Sequence, residues 1–160
     1  MNTNKKQYYT GFTSGALLLF EVEEIIDSIE NDKSFLVGEE EVDAERFSVN
    51  SEASKKRLKK EIEKRLRALD DEKFIEMLRN ENVLSKKLIL FYAACKTYPL
   101  ISNFMIEVFL KRWRELEYTI SSLDFQNYLY MKMDEHSELS SLTENTRKKL
   151  GQVVMKMLSQ

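Results

Sequence analysis

The stretch LSKKLILFYAACKTYPL, residues 84–100, decides the fold class of this chain. Eight consecutive apolar residues, Leu88 to Cys95, suit either a buried strand or a helix buried on most sides. Its Leu- and Ala-rich composition and the helical spacing of the segments around it favour the helix. Pro99 then marks a break, and proline is well tolerated in the first turn of a following helix.

Outward from this stretch, apolar residues recur every three or four positions. Leu18, Val22, Ile25, Ile26 and Ile29 form one stripe, predicting a first helix over residues 14–31. The acidic run GEEEVDAERF reads as a short helix or an exposed loop. SKKRLKKEIEKRLRAL, residues 54–69, carries the stripe Leu58, Ile62, Leu66 and Leu69, with Ser51 or Ser54 as its cap. DDEKFIEMLRNE opens with two aspartates suited to a helix N-terminus. After Pro99 the stripe is Leu100, Phe104, Val108 and Trp113, which places Trp113 in the core. Ser121 or Ser122 caps a helix through Phe125, Tyr128 and Leu129. The last helix presents Leu150, Val153, Val154, Met157 and Leu158.

Four Gly and one Pro in 160 residues leave little material for the tight turns of a strand-rich fold. The expectation is an all-α bundle of seven or eight helices, with roughly 65–75% of residues helical. It forms one helical domain over residues 1–160.

The single Cys95 excludes an internal disulfide. The apolar run Ala16–Phe20 is too short for a signal core, and no segment reaches the roughly 20 apolar residues of a membrane span. The chain therefore reads as a soluble cytoplasmic protein.

Catalysis finds little support. His136, the only histidine, lies in the polar segment KMDEHSELSS and is expected to be a solvated residue. Cys95 is expected to be a buried, inert core residue. With no second His or Cys and no spaced carboxylate loop, no metal and no cofactor are expected. Glu39, Glu40 and Glu41 are consecutive and cannot converge on one ion. GFTSG lacks the Gly-Lys-Ser/Thr ending of a phosphate loop and reads instead as an easing of the entry into the first helix.

Charge is the informative signal. Residues 1–53 hold 4 basic and 12 acidic side chains, and residues 54–160 hold 21 and 15. Half of SKKRLKKEIEKRLRAL is Lys or Arg. On a helical wheel at about 100° per residue, Leu58, Ile62, Leu66 and Leu69 fall within about 80°. The opposite face holds Lys56, Arg57, Lys60, Lys64 and Arg67, with Glu63 the sole acid. Glu61–Arg65 and Glu63–Arg67 make favourable i,i+4 pairs, which a solvated helix face would also show. The remaining cations repel one another unless an anion lies along them, and nucleic-acid phosphate is the usual such anion. The wheel alone leaves both readings open. Trp113, flanked by Lys111, Arg112 and Arg114, leaves base stacking and RNA binding as a further alternative to a core role.

Several motifs together resemble the BrxA-like family of small proteins from BREX-type phage-defence islands. YYTGFTSGALLLFEVEEII matches the family's opening turn and Leu-rich helix at Thr13, Gly15, Leu17–Leu19 and Glu21. Ser14–Gly15 stands where the family has a double glycine. KKEIEKRLRAL is similar to its basic helix ending in an Arg-Leu step, YPLISNFMIEVF to its aromatic-Pro-Leu turn, and LTENTRKKLGQVVMKML to its last helix start. Family members continue past that helix, so the resemblance implies that a chain stopping at Gln160 is either a shortened member or a fragment.

The resemblance implies an all-helical fold similar to that of the antitermination factor NusB, DNA binding as an accessory of phage defence, and no catalytic activity. The expected partners are nucleic acid, in the form of double-stranded DNA, and other defence-system proteins. No membrane is expected, and the chain is expected to be a monomer. The alternative is an adaptor whose basic helix docks an acidic protein.

Overall fold

The structure, a computed structural model, describes residues 7–13 and 15–160. Of these, 69% are helical and none is in a strand, as low Gly and Pro content predicts. The described residues form nine helices. They are α1 (Leu19–Ile25), α2 (Asp32–Leu36), α3 (Glu52–Arg67), α4 (Glu72–Asn80) and α5 (Val83–Thr97), then α6 (Pro99–Arg114), α7 (Ser122–Met133), α8 (Ser137–Ser140) and α9 (Glu144–Ser159). The excess over seven or eight comes from α2 and α8, which are about one turn each. Packing divides the chain into two units: Leu17–Thr97 with Gln160, and the described residues up to Ala16 with Tyr98–Ser159.

In the unit Leu17–Thr97, the first helix is shorter than the stripe implies. Leu18 adopts a left-handed conformation (φ 63°) at the N-cap of α1, and Ser14 lies outside the described residues. Ile26–Ser28 tighten into a 3-10 turn, and the Asn31 side chain starts α2 by accepting the Ser34 N–H at 2.9 Å. Val22, Ile25, Ile26 and Ile29 are nevertheless all buried.

Ser51 stands at the N-cap of α3, and Asp71 caps α4 by accepting the Lys73 N–H at 2.9 Å. Helix α5 packs against α1, α3 and α4. It buries Ile89, Leu90, Ala93 and Ala94 but exposes Leu84, Leu88 and Tyr92 at i, i+4 and i+8. Burial on most sides is thus corrected to burial on one face. Eight apolar residues wrap the whole cylinder, whereas packed neighbours cover only part of it.

In the other unit, Pro99 occupies the first turn of α6, and Leu100, Ile101 and Phe104 are buried. Met105–Phe109 then form a π turn. Each π turn takes more residues than an α turn, so the apolar stripe rotates off the core beyond it. Val108 is half-buried, and Trp113 is 53% exposed rather than a core residue.

The N-terminus of α7 is closed by Asp124, whose carboxylate accepts from the Ser121 N–H (2.7 Å) and hydroxyl (2.8 Å). Phe125, Tyr128 and Leu129 of α7 are buried, as are Leu150, Val154 and Met157 of α9; Val153 and Leu158 are half-buried.

The N-terminal segment anchors here. Phe12 is fully buried against Tyr98, with ring centroids 5.0 Å apart. Tyr8 donates its N–H to Glu138 at 2.7 Å, accepts from Asn103 at 2.8 Å, and lays its ring 4.3 Å from that of His136. Phe12 of GFTSG is thus a core anchor, and Gly15 adopts φ 151°, where side chains are rarely tolerated. His136, expected in solvent, is only 8% exposed. Its Nδ1 lies 3.0 Å from Glu138 Oε1, because the Tyr8 segment covers it.

Candidate nucleic-acid interface

Helix α3 is built from strong helix formers (Lys, Arg, Glu, Leu) over sixteen residues, about 24 Å of axis. Ile62 and Leu66 are buried as the wheel predicts, with Leu69 just beyond the helix. Towards the C-terminal half the buried face widens to include Glu61, Glu63 and Arg65. Arg65 answers Glu61 with Nη2 and Nε at 2.6 and 2.7 Å from the same oxygen. Glu63 accepts the Val42 N–H at 2.9 Å and pairs with Arg67 at 3.5 Å. Both expected i,i+4 pairs exist, but they lie largely inside the unit and leave the outer surface more basic.

One flank of α3 carries the acidic segment 39–45. Lys55 Nζ lies 2.7 Å from Glu45 and 3.2 Å from Glu52, and Lys59 pairs with Glu41. The bond to Lys59 and its charge hold the Glu41 carboxyl below the usual range. The bonds that Lys55 donates to Glu45 and Glu52 hold its ammonium above the usual lysine range. Glu40 turns the other way and accepts the Glu30 and Asn31 N–H groups at 2.6 and 2.9 Å. Part of the charge asymmetry between the first third and the rest is therefore satisfied within the unit Leu17–Thr97.

The five site residues read from the wheel separate accordingly. Lys56, Arg57 and Lys60 are exposed, and their side chains make no ion pair or hydrogen bond among the described residues; Lys64 is exposed beside them. These four occupy one face within about 12 Å of helix axis. Arg67 is half-buried and committed elsewhere. Its Nε donates to the Phe35 carbonyl at 3.0 Å and its Nη2 to the Glu40 carbonyl at 2.9 Å, with the guanidinium 5.0 Å from the Phe35 ring. The wheel could not show this, since Phe35 and Glu40 lie 32 and 27 positions away.

A second exposed cluster lies in the unit containing Tyr98–Ser159. Trp113 stacks at 6.1 Å on Phe109 and meets Tyr118 edge-on at 4.8 Å. Arg112 beside it is tied to Asp124 (2.6 Å), Glu117 (3.9 Å) and the Thr119 carbonyl (3.3 Å). An open groove of about 760 Å³ runs between this turn and α9, lined in part by Phe109, Tyr118, Ile120, Met155 and Leu158. The basic flanks of Trp113 mark this cluster in the sequence, but nothing there marks the groove or the exposure of the ring, because the π turn that exposes Trp113 has no distinctive pattern.

Cys95 is half-buried rather than a fully buried core residue, and this partial burial still pushes its thiol up to about 11, which leaves little thiolate at neutral pH. Among the described residues no three His, Cys, Asp or Glu side chains converge to hold a metal. No single helix among them is long and apolar enough to cross a membrane.

The sequence profile of the BrxA family matches residues 6–160. The chain is similar to the BREX protein BrxA of Bacillus cereus (strain H3081.97), with 30% identity over 156 residues. That alignment covers 96% of this chain and 78% of the Bacillus protein.

Proposed function

Because the chain belongs to the BrxA family, a component of BREX phage defence, we propose that it is a non-enzymatic accessory that binds double-stranded DNA through phosphate contacts from the outer face of α3. The carrying observation is the set Lys56, Arg57 and Lys60, exposed, adjacent and free of carboxylate partners among the described residues, with Lys64 completing the face. Like charges at i,i+3 and i,i+4 destabilise a helix by a few tenths of a kcal/mol per pair. A phosphate backbone laid along them reverses that sign and releases its condensed counterions. Lysine-rich faces position a duplex without reading bases, so binding is expected to be largely indifferent to sequence. A cytoplasmic monomer with a NusB-like helix arrangement belongs to the same reading.

The test replaces Lys56, Arg57, Lys60 and Lys64 by Gln. Gln is a good helix former, and the buried stripe and Arg67 are left untouched. Binding to unrelated duplexes should weaken to a similar degree, and the salt-dependence slope should fall by about 0.9 for each phosphate that is no longer neutralised. Unchanged affinity and slope in a folded variant would remove α3 as the interface.

The groove and the exposed Trp113, Tyr118 and Leu116 favour a second reading, in which the unit containing Tyr98–Ser159 docks another defence protein. In that case Trp113→Ala would lose a protein partner while DNA affinity stays at the parent value.

A further inference from the structure

Lys55 and Lys59 lie one helical turn apart, beside the outer cationic face of α3, and each holds a carboxylate from the segment 39–45. The lysine side chains are only 14% and 24% exposed, yet their partners Glu45 and Glu41 are 73% and 67% exposed. The backbone beneath these carboxylates is fixed by other means. Val42 is buried and donates its N–H to Glu63, Arg67 clasps the Glu40 carbonyl, and Phe47 is buried. Both glutamates can therefore rotate into water while the segment stays docked. Pairs this exposed contribute little to stability, so exchanging one anion for another at either lysine is close to neutral.

We propose that Lys55 and Lys59 form a second row of the phosphate-binding site, and that Glu41 and Glu45 are built-in competitors which nucleic-acid phosphate displaces. The carboxylate oxygens occupy the positions that phosphate oxygens take in the complex. The inference rests on the DNA-binding reading of α3 and adds a regulation to it. Contacts in the second row form only by displacing a resident anion, and the displaced carboxylates stay near the duplex and repel it. Affinity is thereby held below what the cation count of the helix would give.

The experiment measures binding of the full chain to a duplex across a salt series, comparing the parent with Glu41→Gln/Glu45→Gln. The variant is expected to bind on the order of ten-fold more tightly at physiological salt, with a slope steeper by about one to two units. Glu76→Gln/Glu81→Gln makes the same change in net charge at exposed positions of α4 and its C-cap, and should recover less than about a third of that gain. Adding Lys55→Gln/Lys59→Gln to Glu41→Gln/Glu45→Gln should cancel it. An unchanged affinity in Glu41→Gln/Glu45→Gln, or an equal gain in the α4 control, overturns the proposal. If the outer-face quadruple variant still loses affinity in the same assay, only the competitor proposal has failed. If that variant binds like the parent, the DNA reading itself has failed, and this inference falls with it.

Discussion

Helices α3 and α6 both carry dense basic runs, and in each some cations are committed to partners while others face solvent. In α3 the flank cations Lys55, Lys59 and Arg67 hold the segment 35–45, Arg65 is buried on Glu61, and Lys56, Arg57, Lys60 and Lys64 face solvent. At the end of α6 the central Arg112 is absorbed by Asp124, Glu117 and a carbonyl, Lys111 and Arg114 face solvent, and an exposed aromatic ring, Trp113, stands among them. A run of Lys and Arg is thus no measure of available charge until its partners are known. The regularity of each helix matters equally. Helix α3 keeps α geometry throughout, so a wheel describes its faces, whereas the π turn in α6 changes the register and puts Trp113 outside.

The largest effect that would break this contrast lies at the arginines. Arg65→Ala leaves Glu61 buried without its guanidinium and should cost about 3–5 kcal/mol in urea unfolding. Arg112→Ala, with both partners nearer to solvent, should cost about 1 kcal/mol or less. Equal losses would mean that the two runs are not differently used.

A comparable test addresses register. Phe104, just before the π turn, is fully buried, and Phe104→Ala should cost about 3–5 kcal/mol. Trp113→Ala, past the turn, should cost well under half of that. A Trp113 cost as large as that of Phe104 would place Trp113 in the core and cancel the register shift.

The smallest expected effect concerns pH and sharpens the comparison from the acid side. Burial pushes the Glu138 carboxyl up, but the Tyr8 N–H and His136 outweigh it and hold the group below its ordinary value of 4.5. A depressed carboxylate contributes stability above its unfolded value and loses it as pH falls through the folded one. The urea midpoint should therefore drop below about pH 4.5, and Glu138→Gln should flatten that drop. Glu41 is also depressed, but it is exposed, and solvent screens its pair with Lys59. Glu41→Gln should leave the acid limb nearly as steep as in the parent.

Much of the candidate site was legible because it is local. The helical spacing of Ile62, Leu66 and Leu69 put Lys56, Arg57, Lys60 and Lys64 on the opposite face, and the structure keeps them there. Arg67 shared that face on the wheel but was lost to it, since its carbonyl partners arrive from α2 and the acidic segment through packing. His136 and Trp113 went astray in opposite directions. The polar neighbours of His136 gave no hint that Tyr8, far away in the chain, closes over it. The apolar spacing through Trp113 assumed a constant 3.6-residue turn that the π segment does not keep.

By itself, the sequence determined what depends on neighbours within a few residues. These are the all-helical class, the apolar stripes, the helix starts at the Asp70–Asp71 pair and at Ser121 or Ser122, and the motifs that tie the chain to its family. Only the tertiary structure decided which charges remain available. A lysine's partner is chosen by whichever carboxylate packing brings within about 3 Å, and for Lys59 that is Glu41, 18 positions earlier. Side-chain periodicity carries no information about such distant pairings, because it reports the geometry of one helix and not what is folded against it.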